Sequence, residues 1–165
     1  MLKKKYNYIL AFGSNVGERS KNLSKALKSL ERHVVILQQS LWHETKPLAH
    51  PIYNTDDHDY YINFVALVES ELEPHRLYCA IVTIEDEIGH PRSRRWMPRA
   101  IDIDILFCAF SEDKPFSKLK PYIYSKNPDF HVPHCEYFKR KFWQEMVENE
   151  LHISKETILK HFNSN

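Results

Sequence analysis

Glycine is scarce in this chain: its 165 residues hold only three, Gly13, Gly17 and Gly89. A Walker loop or dinucleotide fingerprint needs several glycines at fixed offsets beside a helix start, so both are excluded. Any nucleotide bound here must be held by side chains and metal. Cysteine is sparse as well. Cys79, Cys108 and Cys135 are odd in number, widely spaced and without a CxxC pair. That argues against a disulfide framework or zinc site and for reduced thiols in the cytoplasm. No apolar run approaches the ~20 residues needed to span a bilayer. The basic start, Met1-Leu2-Lys3-Lys4-Lys5-Tyr6, lacks the apolar stretch of a signal peptide. Excess charge is missing too: the net value is +1, so no global field drives nucleic-acid or membrane binding. The expectation is a soluble monomer, one domain over residues 1–165, with 42% hydrophobic content for a single core.

What is present is concentrated in one stretch, Arg92 to Leu106. In a β-strand alternate residues share a face, so Asp102 and Asp104 project together, Cα atoms roughly 6–7 Å apart. Ile101, Ile103 and Ile105 then occupy the opposite face, which must be the buried one. Paired hard oxygen ligands suit Mg²⁺, which takes one or two carboxylates and completes its shell with water and phosphate. Arg92, Arg94, Arg95 and Arg99 supply planar forks for phosphate oxygens. Pro98 fits the start of a strand. Acid pair and arginine cluster together read as a metal-assisted phosphate site.

Two blander readings compete. Alternation such as Ile101-Asp102-Ile103-Asp104-Ile105 also describes any half-solvated strand. The arginines beside Trp96, Tyr61 and Phe64 could instead form a non-catalytic module whose aromatics stack nucleic-acid bases. Against that, two aspartates on the same face would repel a phosphate backbone. The ten histidines raise zinc, but His43, His50 and His58 share a loop in no ligand spacing and read as solvated.

Along the chain, Tyr8–Phe12 reads as a strand ended by the turn Gly13-Ser14-Asn15. Leu23, Ala26, Leu27 and Leu30 predict a helix from about Ser20 to Arg32. Val34–Trp42 reads as a second strand, 43–60 as a long irregular loop, and Ile62–Val68 as a third strand. Pro74 opens a helix whose buried stripe is Leu77, Ile81, Ile84 and Ile88. Ile101–Phe107 is the last core strand; 111–130 is loop with a short hairpin, and Tyr137–Glu148 and Ser154–Phe162 are helical. The order β-α-β-β-α-β predicts an α+β, ferredoxin-like sheet with helices on one face. The other face stays open, carries the two aspartates and forms the site, with extra helices at the C-terminus.

In their order these residues resemble the 6-hydroxymethyl-7,8-dihydropterin pyrophosphokinases over nearly the whole chain. The similar segments are Ala11-Phe12-Gly13-Ser14-Asn15, Thr45-Lys46-Pro47-Leu48, Tyr61-Ile62-Asn63-Phe64, Ile84-Glu85, Val132-Pro133-His134 and Arg140-Lys141-Phe142. The most specific is Arg95-Trp96-Met97-Pro98-Arg99 running into Asp102 and Asp104. The resemblance implies transfer of the pyrophosphoryl unit of ATP to the hydroxymethyl group of a reduced pterin, releasing AMP, in folate synthesis. It implies that Asp102 and Asp104 hold two Mg²⁺ ions and that Arg92 and Arg99 neutralise phosphate charge. It makes Arg95, His134 and Arg140 triphosphate contacts, and Glu85 and the Ile105 backbone nucleoside contacts. Tyr61 and Phe142 would sandwich the pterin and Asn63 would read its edge. Trp96, Thr45 and Leu48 complete that pocket. Taken alone, Phe142 reads as a helix core residue, Glu85 as an exposed acid and Asn63 as a backbone partner.

The chain departs from that family's pattern at His90, where an arginine is usual, at Cys135, where an aromatic is common, and at Asp129, where a basic residue is often seen. A histidine is largely neutral near pH 7. These departures bear on phosphate affinity and turnover more than on reaction type.

Overall fold

A computed structural model describes residues 4–49, 52, 54–55, 58–89, 98–127 and 129–163. Its elements run β1 (Tyr6–Ser14), α1 (Arg19–Leu30), β2 (Val35–Gln39), β3 (His43–Thr45), β4 (Tyr61–Ser70), α2 (Pro74–Ile88), β5 (Asp102–Phe110), β6 (Tyr124–Asn127), β7 (Phe130–Val132), α3 (Lys141–Asn149) and α4 (Lys155–Asn163). The main sheet has the order β2-β4-β1-β5, and its pairings are antiparallel. β3 also pairs with β4, at Tyr61–Asn63, further along the edge that β2 occupies. The single strand expected over Val34–Trp42 is thus an edge interrupted at Ser40. There the Ser40 hydroxyl accepts the Val65 N–H, and the Ser40 N–H reaches the Val65 carbonyl.

β1 lies between β4 and β5 and is buried along its whole length. Alternation sorts its side chains. Tyr6, Tyr8, Leu10 and Phe12 join a core with Leu23, Ala26 and Leu30 of α1 and Leu77, Ile81 and Ile84 of α2. Ile9 and Ala11 face the other way. Gly89 closes α2 at φ 117°, a left-handed cap that glycine adopts without steric cost.

The second face departs from the expectation that it stays open. There Ile9, Val65, Phe107 and Ala109 meet Trp143, Met146 and Val147 of α3 and Ile158 of α4 in a second core. On β5 the register also changes: Ile9 pairs with Phe107, but Leu10 pairs with Ile105. Leu106 is therefore an extra residue, a bulge that reverses the alternation beyond it. Ile101, Ile103 and Ile105 face α1 and α2, whereas Phe107 turns to the far side. Bulky apolar groups on that side favour cover, and the C-terminal helices supply it. Phe116 and Leu119 of the 111–130 stretch join this core, and the expected hairpin there is β6–β7. Open surface remains at one end of the face, around Gly13, Asp102 and Asp104. Among the described residues, no helix is long and apolar enough to cross a membrane.

Candidate active site

Asp102 and Asp104 begin β5 ahead of the bulge, so both project onto the uncovered end of the sheet. Their side chains stay reachable, 20% and 26% exposed. They line an open cavity that encloses about 690 Å³ of empty space, counting its solvent-open mouth. Arg99 Nη1 lies 2.8 Å from Asp102 Oδ1. His134 Nε2 is 3.4 Å from one oxygen of Asp104, and Arg140 Nη1 is 3.9 Å from the other.

The arginines and the histidine are placed by different devices. The Arg99 backbone is clamped by Asn15: the Arg99 N–H donates to Asn15 Oδ1 at 2.7 Å, and the Asn15 N–H to the Arg99 carbonyl at 3.0 Å. The His134 N–H bonds the carbonyl of Leu106, the bulge residue, at 2.9 Å. Its Nδ1 accepts the Glu136 N–H, which leaves Nε2 as the protonated nitrogen facing Asp104. Arg140 lays its guanidinium over the Trp143 ring, 4.2 Å from the centroid, and Trp143 meets the His134 ring edge-on.

This setting tunes the charges. Burial works against the Asp104 carboxylate, but the His134 hydrogen bond and the charges of Arg140 and Arg99 outweigh it and hold its pKa well below the ordinary range. Arg99 is likewise held in its charged form: burial opposes it, and the carboxylates of Asp102 and Asp104 prevail. Burial raises the Tyr61 phenol, so it stays protonated. Among the described residues the buried Arg140 Nε has no hydrogen-bond partner, so this N–H can donate to an anion in the charged cavity.

The other wall is built on β3, β4 and the segment that joins them. Asn63 donates its Nδ2 to Thr45 Oγ1 at 2.6 Å. Its Oδ1 points at Gly13 so closely that a Cβ there would lie 2.7 Å away. Glycine at this position is a requirement of that approach. Leu48 is tied to Thr55 through its carbonyl, and Arg19 at the start of α1 holds the Tyr60 carbonyl and Glu44.

Of the residues singled out by sequence, Thr45, Leu48, Tyr61, Asn63, Arg99, Asp102, Asp104, Arg140 and Phe142 line this one cavity, and His134 reaches it through Asp104. Phe142 is half-buried and lines the cavity, in place of the core position its helix suggested. Glu85 and Ile105 lie elsewhere, on the α2 side of β5. Glu85 is fully buried there, and its Oε1 accepts the Ile103 N–H at 2.7 Å. Arg92, Arg94, Arg95 and Trp96, like His90, fall outside the described residues. Phe64, invoked for base stacking, is fully buried between Phe12 and Trp42 rings. His43, grouped with the loop histidines, bonds Glu150. Among the described residues no three His, Cys, Asp or Glu side chains converge as a metal-binding group. Sequence reasoning missed Asn15, Lys46, His58 and Trp143. Asn15 carried a faint signal as the third residue of the Gly13-Ser14-Asn15 turn, and Trp143 none beyond its neighbour Phe142.

Comparison with known proteins identifies the family. The family profile for 7,8-dihydro-6-hydroxymethylpterin-pyrophosphokinase (HPPK) matches residues 9–150. The 2-amino-4-hydroxy-6-hydroxymethyldihydropteridine pyrophosphokinase of Aquifex aeolicus is 31% identical over 157 residues, covering 93% of this chain and 88% of its own length. The Methylorubrum extorquens protein of the same name is 33% identical over 99 residues, covering 59% of this chain, which spans 60% of that relative's length. In fold, the crystal structure of Plasmodium falciparum HPPK-DHPS with pteroate superposes with a TM-score of 0.63 at 15% identity, over 99% of this chain and 43% of the other. The chain belongs to the 7,8-dihydro-6-hydroxymethylpterin-pyrophosphokinase family.

Proposed function

We propose that this protein transfers the β,γ-pyrophosphoryl unit of ATP to 6-hydroxymethyl-7,8-dihydropterin, giving AMP and the pterin pyrophosphate. The observation that carries the reading is the convergence of Asp102, Asp104, Arg99, Arg140, Asn63 and Tyr61 on one cavity. The substrate hydroxyl gives up its proton to solvent as its oxygen bonds to the β-phosphorus and the bond from that phosphorus to the oxygen that leaves with AMP breaks. Such a transfer depends on positioning and on charge placed around the phosphates.

The donor set fits Mg²⁺: two hard carboxylates share a face, and one is held ionised. Asp102 and Asp104 are the residues that would hold two Mg²⁺ ions, which when bound offset charge on the phosphate oxygens. Arg99, clamped by Asn15, and Arg140, braced on Trp143, bind the triphosphate with His134. Arg92 and Arg95 are proposed to join them. Tyr61 and Phe142 supply flat apolar surface for the pterin, with Trp96, Thr45 and Leu48 around it. Asn63 presents its Oδ1 as an acceptor to the ring edge. Glu85 supports the strand that carries the aspartates through its bond to Ile103, on the side where the nucleoside would lie near the Ile105 backbone. The sheet order β2-β4-β1-β5, counting β3 as an extension of the β2 edge, supports a ferredoxin-like topology.

The test is product analysis of MgATP with 6-hydroxymethyl-7,8-dihydropterin by chromatography and ³¹P NMR. AMP and pterin pyrophosphate in equal amounts are expected. ADP as the nucleotide product would refute the reaction.

A further inference from the structure

We propose that Glu150 is a positioning residue that sets the width of the pterin slot by fastening α3 to the β2–β3 edge; the inference rests on the pyrophosphokinase reading above. Glu150 caps the C-terminal end of α3. Its Oε1 accepts from His43 Nε2 at 2.6 Å, its Oε2 accepts the Leu41 N–H at 2.6 Å, and its main-chain carbonyl accepts from Gln38 Nε2 at 2.8 Å. A carboxylate only accepts, so His43 Nε2 carries the proton. These bonds join segments 107 to 112 residues apart in the chain.

The elements they join are the two walls of the cavity. α3 carries Phe142 and Trp143 on one side, and β3, which starts at His43, carries Thr45 on the other. Thr45 in turn holds Asn63. β3 is three residues long and pairs only with β4 among the described strands. The edge beside it is anchored to the sheet by Trp42, whose ring stacks on Phe64 of β4, while Leu41 next to it is 73% exposed. The sheet therefore sets where β3 lies along β4, and Glu150 sets where it lies relative to Phe142. A carboxylate that makes charge-assisted bonds to both His43 and Leu41 is a stiff link.

The test is steady-state kinetics of the full chain and its Glu150 variants, with melting temperature recorded alongside. Glu150→Ala should raise the KM for the pterin by about tenfold, since a small misplacement of a binding wall is costly. The KM for ATP and kcat should stay within about twofold, because the β3 edge is what shifts while Arg140 and Trp143 stay together at the start of α3. Glu150→Gln keeps an oxygen for the Leu41 N–H and offers an N–H to the other tautomer of His43. It should restore most of the pterin affinity. The bond from Gln38 to the backbone carbonyl survives in both variants and keeps the helix end tethered. A Glu150→Ala protein that melts earlier yet keeps the wild-type pterin KM would reduce Glu150 to a structural residue and overturn the proposal. Should that variant fail to fold, His43→Ala is read by pterin fluorescence titration: weakened pterin binding supports the link, and unchanged binding overturns it. An inactive wild-type protein would overturn the enzymatic reading itself, a result distinct from an active wild type with indifferent variants.

Discussion

Gly13→Ala is the substitution that most sharply probes how the cavity is built. Gly13 sits opposite Asn63 in the β1–β4 ladder and opposite Asp102 in the β1–β5 ladder, so its backbone cannot retreat. An added Cβ would lie 2.7 Å from Asn63 Oδ1. A carbon meets an oxygen comfortably at about 3.3 Å, so the amide must move by about 0.6 Å. The movement strains or breaks the 2.6 Å bond from Asn63 Nδ2 to Thr45. Asn63 is 6% exposed, so a polar group left unpaired there costs about 1–3 kcal/mol. For a chain of this length that corresponds to a melting temperature lower by roughly 2–12 °C. The pterin-reading oxygen is displaced as well, and we expect the pterin Kd to rise about tenfold or more, at about 1.4 kcal/mol per decade. Nucleotide affinity should hold. The decisive assay is a double-mutant cycle with Asn63→Ala, read by thermal melting and pterin titration. Once the Asn63 amide is gone the clash is gone, so Gly13→Ala should cost almost nothing in that background. Additive effects, or a Gly13→Ala protein with wild-type pterin affinity, would refute the reasoning.

Two further outcomes are expected. His161 is buried against Phe116, whose ring stacks on it at 5.2 Å, and burial lowers its pKa from 6.5 to about 4. The unfolded chain takes up that proton first as pH falls, so stability is intact above about 6.5 and is lost on the way down to about 4. Urea denaturation should show a loss of about 2 kcal/mol between pH 7 and pH 5 that His161→Phe abolishes; an unchanged loss in that variant would point to another group. Asn15→Ala removes the acceptor for the Arg99 N–H, and we expect kcat to fall by about tenfold with little change in pterin affinity, measured by product formation at saturating substrates. A pterin-binding defect with kcat intact would place Asn15 on the other substrate.

The sequence carried much of this through periodicity. Leu77, Ile81 and Ile84 mark the buried stripe of α2, and the isoleucine–aspartate alternation places the carboxylates opposite the first core, because a strand has a strict period of two. The same rule failed four residues later. A one-residue bulge at Leu106 leaves no mark in composition, yet it turns Phe107 to the far face, into the core that α3 and α4 cover. The 111–130 stretch read as polar loop because Phe116 and Leu119 are isolated among charges, and His161, on which Phe116 stacks, lies far along the chain. Within the site, charged and aromatic residues were legible by type. Residues that act by position were not. Gly13 matters through the side chain it makes room for, Asn15 through the Arg99 backbone, and Glu150 through an edge 107 or more residues away. Glu85 looked like a surface acid beside an apolar stripe, and only the packing of α2 on β5 turns it inward.

The claim beneath the whole account is that Asp102 and Asp104 bind divalent cation under the phosphates of ATP. Isothermal titration with a non-hydrolysable ATP analogue, with and without Mg²⁺, measures it directly in the wild type and in Asp104→Asn. We expect Mg²⁺ to tighten analogue binding by about tenfold or more in the wild type, and that gain to vanish in Asp104→Asn while the variant stays folded. Analogue binding indifferent to Mg²⁺ in the wild type, or a full Mg²⁺ gain retained by Asp104→Asn, would contradict it.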